Sequence, residues 1–175
     1  MSTAPPPQRT SFFGDALRTM AVLLAIVGLV VGFQRLLSAP PSNPVHALDY
    51  RPALAAARAA APFHVLAPSG LPDGWAATSV HYTPGSAAAW HLGVLTADRA
   101  YVGLEQSLDD TAAVLGEAAP GSVSDGTVEV AGDSWQVRRG PGNRTTLVRR
   151  VDGVTTVVTG DAPQDQLVAY AAGLH

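Results

Sequence analysis

The longest apolar run of the chain lies near its N-terminus. Residues 20–33 read MAVLLAIVGLVVGF without one charged side chain. Extended to residues 17–37, this run forms a helix about 31 Å long at about 1.5 Å per residue, which matches the roughly 30 Å hydrocarbon core of a bilayer. Arg18 and Arg35 lie near its two ends, where long cationic side chains reach the lipid headgroups. The pattern predicts a single transmembrane helix over residues 17–37.

The segments on either side of this run are polar or rich in proline. Residues 1–16 have little apolar surface to bury and are expected to be a disordered leader. Residues 38–48 lack apolar periodicity and are expected to be a spacer. A cleaved signal peptide is the alternative, but the acceptable cleavage site Val45-His46-Ala47 lies well beyond the apolar run.

The orientation follows from the shortness of the leader, because the arginines flanking the run are balanced on its two sides. A short leader ahead of a first span usually stays inside the cell. The chain is therefore predicted at the cell membrane as a single-pass protein, with a cytoplasmic N-terminus and an extracytoplasmic domain at residues 49–175.

Residues 49–175 begin with a helical pattern and continue with short strands and turns. A helix is predicted over residues 53–61, because Pro52 stands at its start and Pro62 directly follows its end. Runs of β-branched and aromatic residues, separated by Gly, Pro and Asp, predict the strands that follow. These strands are expected at residues 63–68, 75–82, 90–95, 101–106, 128–130 and 134–139, and further helices at residues 109–119 and 164–174.

The clearest local signal is a hairpin at residues 145–159. Asp152-Gly153 divides two β-rich runs as a two-residue primed turn does. Pairing across this turn predicts a core face and a solvent-exposed face. The core face is expected to hold Leu147, Val151, Val154 and Val158, and the exposed face Thr146, Arg150, Thr155 and Thr159.

These elements predict an α+β fold class. A single N-terminal transmembrane helix is followed by one small domain with an antiparallel sheet of about six or seven strands. Two or three helices are expected to pack on one face of that sheet.

Composition excludes several kinds of chemistry. The chain has no cysteine, which excludes disulfides, thiolate metal sites and a cysteine nucleophile. It has no lysine, so a phosphate-binding P-loop is excluded as well. From Ser38 onward eight arginines face thirteen acidic residues, a formal charge of −5 that disfavours nucleic-acid binding. No cofactor is expected.

Catalytic and metal-binding motifs are also missing from the sequence. No G-x-S-x-G nucleophile elbow occurs, and His64, His81 and His91 do not have the helical spacing of zinc ligands. The sequence therefore predicts no metal site and a protein that is not an enzyme.

Several segments together resemble an uncharacterised actinobacterial family, the domain of unknown function 4245. The resemblance implies one membrane span followed by one extracytoplasmic domain, and it implies no activity. The matching segments are the apolar run and residues 62–68, 70–72, 74–75, 90–93, 101–107 and 157–160.

One candidate site is a polar pocket at His91, Glu105 and Gln106. Adjacent antiparallel strands can bring His91 and Glu105 within reach of each other. A histidine–carboxylate pair can serve acid–base chemistry, although on a small sheet it is more often a structural hydrogen bond.

The other candidate site is an arginine-rich surface near the C-terminus. Such a surface could meet anionic lipid, a cell-wall polymer or an acidic partner, or it could be a solvated face that discourages aggregation. Arg149 belongs to the same stretch but is expected to turn toward the core face opposite Thr156, where it requires a carboxylate partner. The candidate surface consists of Arg138, Arg139, Arg144 and Arg150.

The sequence thus favours a non-enzymatic module that binds an envelope protein or a cell-wall component. A carrier that holds a lipid or another apolar ligand between the sheet and the helices is the alternative, and it requires a cavity of several hundred Å³. A hydrolase that uses His91 and Glu105 is a third possibility, which requires the two side chains to meet in an open cleft.

Overall fold

The computed structural model of the protein describes Met20 and residues 47–175. Apart from Met20, the predicted leader and span lie outside the described residues, as does most of the spacer. Residues 47–175 belong to one compact unit.

Within the described residues, no helix is both long and apolar enough to cross a membrane. The longest of their α-helices has ten residues, which rise only about 15 Å. The predicted fold class is corrected in one respect, because it included a transmembrane helix and the residues that the structure describes contain none. The fold that the structure describes is an α+β domain of seven antiparallel strands and three α-helices.

The strands follow one another in two runs that are separated by an α-helix, and a further α-helix lies at each end of the domain. The helices are α1 (Arg51–Ala60), α2 (Thr111–Ala118) and α3 (Gln164–Ala172). The strands are β1 (Ala76–Thr83), β2 (Ala89–Leu95), β3 (Tyr101–Ser107), β4 (Val123–Val130), β5 (Asp133–Arg139), β6 (Thr145–Val151) and β7 (Val154–Gly160). Helix α1 has a proline in its first turn, and α2 begins where the Asp110 carboxylate accepts a hydrogen bond of 2.8 Å from the Ala113 N–H.

The seven strands form one sheet in the order β1-β2-β3-β7-β6-β5-β4. The predicted hairpins at residues 90–106, 128–139 and 145–159 are confirmed. Asp152 and Gly153 have φ angles of 50° and 80°, which is the conformation that a type I′ turn requires. The β3–β7 pair joins the hairpin of β2 and β3 to the strands at the C-terminus.

One face of the sheet, here the first face, carries the main core. Helices α1 and α3 pack on it through buried side chains that include Ala57 and Leu167. The central strands supply the other side of this core by strict alternation. Their fully buried members include Trp90, Leu92, Leu104, Leu147 and Val158.

The opposite, second face is partly covered by α2. Val114 of this helix packs against Val148 and Val157 in a separate apolar cluster. The expectation that the helices pack on one face of the sheet is therefore wrong. Apolar residues on both faces of β6 and β7 can be buried, because α3 packs on the first face of these strands and α2 on the second.

The predicted solvent-exposed face of the last hairpin is wrong for its three threonines, whereas Arg150 is exposed as predicted. Thr146, Thr155 and Thr159 lie on the second face and are buried. The Thr146 and Thr159 hydroxyl oxygens are 2.7 Å apart and share a hydrogen bond, which satisfies these polar groups away from water. The predicted pairings of Leu147 with Val158 and of Val151 with Val154 are confirmed.

Residues 63–68, predicted as a strand, do not join the sheet. Their backbone instead binds the C-terminus of the chain, because Ala67 and His175 exchange hydrogen bonds of 3.3 and 3.2 Å. Pro68 forms an isolated bridge with Leu174. The two prolines that bound the run cannot donate backbone hydrogen bonds to a ladder, which explains the irregular conformation.

Candidate functional site

The second face carries a polar cluster where it passes over β1, β2 and β3. His91 and Glu105 lie directly opposite each other on β2 and β3. A bulge between Ala77 and Ser79 shifts the register of β1, so that Ser79 lies opposite Gly93 and diagonal to His91. We call Ser79, His91, Glu105 and the neighbouring Tyr101 the polar row.

Three side chains of the polar row form a continuous hydrogen-bonded chain. The Ser79 Oγ lies 2.8 Å from His91 Nε2, and His91 Nδ1 lies 2.5 Å from Glu105 Oε1. When the imidazole is neutral, Nδ1–H donates to the carboxylate and Nε2 accepts the serine hydroxyl proton. The His91 and Glu105 side chains remain 26% and 27% exposed, so this chain of groups is accessible from solvent.

Two glycines clear the sheet surface beside these groups. A Cβ atom at Gly103 would lie 2.7 Å from the Tyr101 hydroxyl oxygen, and one at Gly93 would lie 3.1 Å from it. The ring atoms Cε1 and Cε2 of Tyr101 approach the same two positions at 3.1 and 3.2 Å. The Tyr101 ring therefore lies across the glycine pair, a position that only glycine leaves open.

The Tyr101 hydroxyl is held in its protonated form. Burial, assisted by the negative charge of Glu105, raises the pKa of this hydroxyl, while Arg144 acts in the opposite direction. The group is therefore a hydrogen-bond donor throughout the physiological pH range.

The pKa of His91 is also raised. Its hydrogen bond to Glu105 is the largest cause, and it outweighs the opposing effect of burial. The stability that this pair contributes is fully present below the ordinary histidine pKa of about 6.5 and is lost as the pH rises through the raised value. We expect His91→Gln to lower the free energy of unfolding by more at pH 5.5 than at pH 8.5. The difference should stay below about 1 kcal/mol, as for other part-exposed ion pairs.

The same measurement in a Glu105→Gln background is the control for this prediction. Without the carboxylate only the opposing effect of burial acts on His91, so the larger cost of His91→Gln at pH 5.5 than at pH 8.5 should disappear or reverse. An unchanged pH dependence in that background would assign the effect to another group.

Gln106, the third member of the predicted pocket, faces the other way. It lies on the first face and is almost completely buried. Its side chain accepts a 2.7 Å hydrogen bond from the Leu66 N–H and donates one of 3.3 Å to the His64 carbonyl. Gln106 therefore attaches residues 63–68 to the sheet, and only His91 and Glu105 of the predicted pocket come together.

The four arginines of the predicted surface do not form one patch. The strand pairing places Arg138 and Arg150 on the second face and Arg139 on the first, and Arg144 precedes β6. Arg138 donates hydrogen bonds to Ser122, Arg139 to Asp125 and Gln164, and Arg150 to the Asp109 carbonyl and Thr155. Most of these guanidinium groups thus already have partners within the domain.

Arg149 has the carboxylate partner that the sequence required. It lies opposite Thr156 and forms an ion pair with Asp133. Its guanidinium carbon also lies 4.8 Å from the centre of the Trp135 ring, a cation–π contact. The Arg149 guanidinium group therefore covers the ring of the buried Trp135.

Two members of the polar row, Ser79 and Tyr101, were not predicted from the sequence. Ser79 reaches His91 because of a bulge, which leaves no clear mark in the sequence. A usable signal did exist for Tyr101, since glycines inside two adjacent strands indicate a close approach by another group. His81 lies directly opposite His91, but within residues 47–175 no group of three or more His, Asp or Glu side chains is arranged to hold a metal ion.

The fold and the polar row define a small α+β domain whose candidate site lies on a sheet surface. The chain belongs to the family described as "Protein of unknown function (DUF4245)", whose model matches residues 10–174. This match confirms the family that the sequence resembled, and it bears on neither the actinobacterial source nor the membrane span. No curated protein matches the chain.

Proposed function

We propose that the chain is a non-enzymatic binding module of the cell envelope. In this proposal the polar row is the contact surface for an envelope protein or a cell-wall component. The observation that carries the proposal is a set of four partly exposed hydrogen-bonding side chains on a sheet surface where two glycines make room for the Tyr101 ring.

Free hydrogen-bonding capacity in the polar row supports this proposal. Among the described residues, Glu105 Oε2 and the Tyr101 hydroxyl make no hydrogen bond, although their neighbours are paired. A hollow of about 200 Å³ adjoins Glu105, and its lining includes Ser107, Asp109 and Glu117. A ligand on the polar row therefore has both unpaired groups and an adjoining recess to contact.

The alternative of a carrier receives no comparable support. The space between the first face and helices α1 and α3 is filled by side chains that are fully or almost fully buried. An apolar ligand at that position would have to displace packed residues such as Trp90 and Leu92, which costs the free energy of their burial.

The location at the cell membrane is proposed on the sequence alone. Its support is the apolar character of residues 17–37 and the short leader before them. The test is fractionation of cells, followed by protease treatment of intact cells. Recovery with membranes and cleavage from outside are expected, whereas a protein that stays in the soluble fraction would contradict the location.

Comparative crosslinking tests the proposed function. The full-length protein is crosslinked in its native envelope, and the retained proteins and glycans are compared between the wild type and the double variant His91→Gln/Glu105→Gln. Val123→Ser is the control, because Val123 is exposed on β4 at the opposite edge of the sheet. We expect the double variant to lose a component that the wild type and the control retain. Identical recovery from all three would contradict the proposal.

A serine hydrolase is the second candidate, because the structure brings Ser79, His91 and Glu105 into the order of a catalytic triad. Ser79 Oγ would attack an acyl carbon while His91 Nε2 takes the hydroxyl proton and passes it to the leaving group. Water, activated by the same nitrogen, would then release the acyl group. Glu105 would stabilise the imidazolium, and the neighbouring Tyr101 hydroxyl would donate to the oxyanion.

A fluorophosphonate probe separates the two candidates. Covalent labelling of the wild type that disappears in Ser79→Ala and falls strongly in His91→Gln would establish the hydrolase and overturn the non-enzymatic proposal. Absence of labelling from pH 6 to 9, with a known serine hydrolase labelled in parallel, is what the binding module predicts.

A further inference from the structure

We propose that the ligand of the polar row is a neutral carbohydrate, with a pyranose ring stacked on Tyr101 and its hydroxyl groups bound by Glu105. This inference rests on the proposed function and names its ligand class. Three features of the second face carry it: the position of the aromatic ring, the kinds of free polar groups and the balance of charge.

The position of Tyr101 suits a flat ligand. One side of its ring is directed at Gly93 and Gly103, as the approach of Cε1 and Cε2 to the two glycines indicates. The remaining exposure of this half-buried residue therefore belongs to the side that is turned away from the sheet. The C–H groups on one side of a pyranose are attracted to the negative face of such a ring.

The free polar groups beside the ring match sugar hydroxyls. Glu105 uses one carboxylate oxygen for His91 and retains the other as a strong acceptor. The Tyr101 hydroxyl remains protonated and can donate. Ser79 keeps further capacity after its bond to His91. The polar row thus offers both acceptors and donors, and each hydroxyl group of a pyranose can donate to the one and accept from the other.

The balance of charge disfavours an ionic ligand. The Glu105 carboxylate is paired with His91, whose raised pKa favours a positive imidazolium beside it. A cation over the Tyr101 ring would meet the field of Arg144, which already acts on the tyrosine hydroxyl. An anion would meet Glu105 and the acidic residues Asp109 and Glu117 of the adjoining hollow. A neutral polyhydroxylated ligand avoids all of these penalties.

Titration of the full-length protein with four tetrasaccharides, chitotetraose, cellotetraose, maltotetraose and mannotetraose, tests the inference by calorimetry. We expect saturable binding of at least one of them. Tyr101→Leu, which still covers the glycines but has no aromatic face, should weaken that binding about 10-fold. Tyr101→Phe keeps the ring and should weaken it less, and Glu105→Gln should weaken it by a factor similar to Tyr101→Leu. Val123→Ser should bind as the wild type does.

The outcomes distinguish the ligand class from the proposed function. The assignment of a carbohydrate ligand would be overturned if none of the four sugars bound, or if Tyr101→Leu bound the sugar as tightly as the wild type. If envelope crosslinking still depended on His91 and Glu105, the binding module would stand with a protein partner. If no sugar binds and envelope crosslinking does not depend on His91 and Glu105, both proposals are overturned.

Discussion

Replacing Gly160 with alanine is expected to lower the free energy of unfolding by about 3 kcal/mol. Gly160 lies in β7 between Val102 and Thr145 of the neighbouring strands. A Cβ atom added there would lie 2.0 Å from the carbonyl oxygen of Tyr101 and 3.2 Å from the Cα of Val102. Both neighbours are backbone, so neither can move aside by changing a rotamer.

Denaturant unfolding of the full-length protein, followed by tryptophan fluorescence, measures this effect. Gly116→Ala is the matched control, since nothing lies within 4 Å of a Cβ atom at this position in α2. The control should be neutral or more stable by up to about 1 kcal/mol, because alanine favours a helix over glycine. A Gly160→Ala variant as stable as the wild type would show that β3 and β7 do not approach each other as described.

Replacing Gln106 with alanine is expected to cost about 2 to 4 kcal/mol of unfolding free energy. The substitution leaves the Leu66 N–H and the His64 carbonyl without their side-chain partner and creates a cavity on the first face. Gln106→Leu fills most of the cavity but restores neither hydrogen bond. It should therefore recover only part of the lost stability.

Gln136→Ala is the control for this second prediction. Gln136 is exposed on β5, and its side chain makes a hydrogen bond of 3.4 Å to Ser124, so its loss should change the free energy of unfolding by less than about 0.5 kcal/mol. Denaturant unfolding curves of the three variants and the wild type give the free energies of unfolding to be compared. Equal stability of Gln106→Leu and the wild type would mean that the two hydrogen bonds contribute nothing to the attachment of residues 63–68.

Much of the sheet was predictable because its signals are local. Asp152-Gly153 defines a turn whose geometry determines the register of both flanking strands, so the pairing of Leu147 with Val158 follows directly. Alternation on β2 and β3 also placed His91 and Glu105 on one face. Their contact then depends only on the two strands being neighbours in register, as they are.

The errors concern interactions between distant parts of the chain. Thr155 is buried where α2 packs on the second face, and its hydroxyl oxygen lies 3.4 Å from that of Thr111 in this helix. A two-residue repeat of apolar and polar positions cannot reveal a helix that packs on the polar side. Residues 63–68 have a strand-like composition, but their hydrogen-bond partners are His175 and the side chain of Gln106.

The candidate site was only half visible in the sequence for a related reason. Its charged pair comes from two neighbouring strands. A bulge in β1 brings Ser79 to the pair, and Gly93 and Gly103 leave the space that the Tyr101 ring occupies. The arginine-rich stretch looked more conspicuous. In the fold, alternation divides its strand arginines between the two faces, and most of them bind groups of the domain itself.

Site-specific photocrosslinking tests whether the polar row is the contact surface. A benzoylphenylalanine replaces the exposed His81, which lies directly opposite His91, and in a second variant it replaces the exposed Val123 at the far edge of the sheet. The proteins are irradiated in the native envelope. We expect a specific adduct from position 81, in a lower yield when Glu105→Gln is also present, and no adduct from position 123. An adduct from position 123 alone would contradict the assignment.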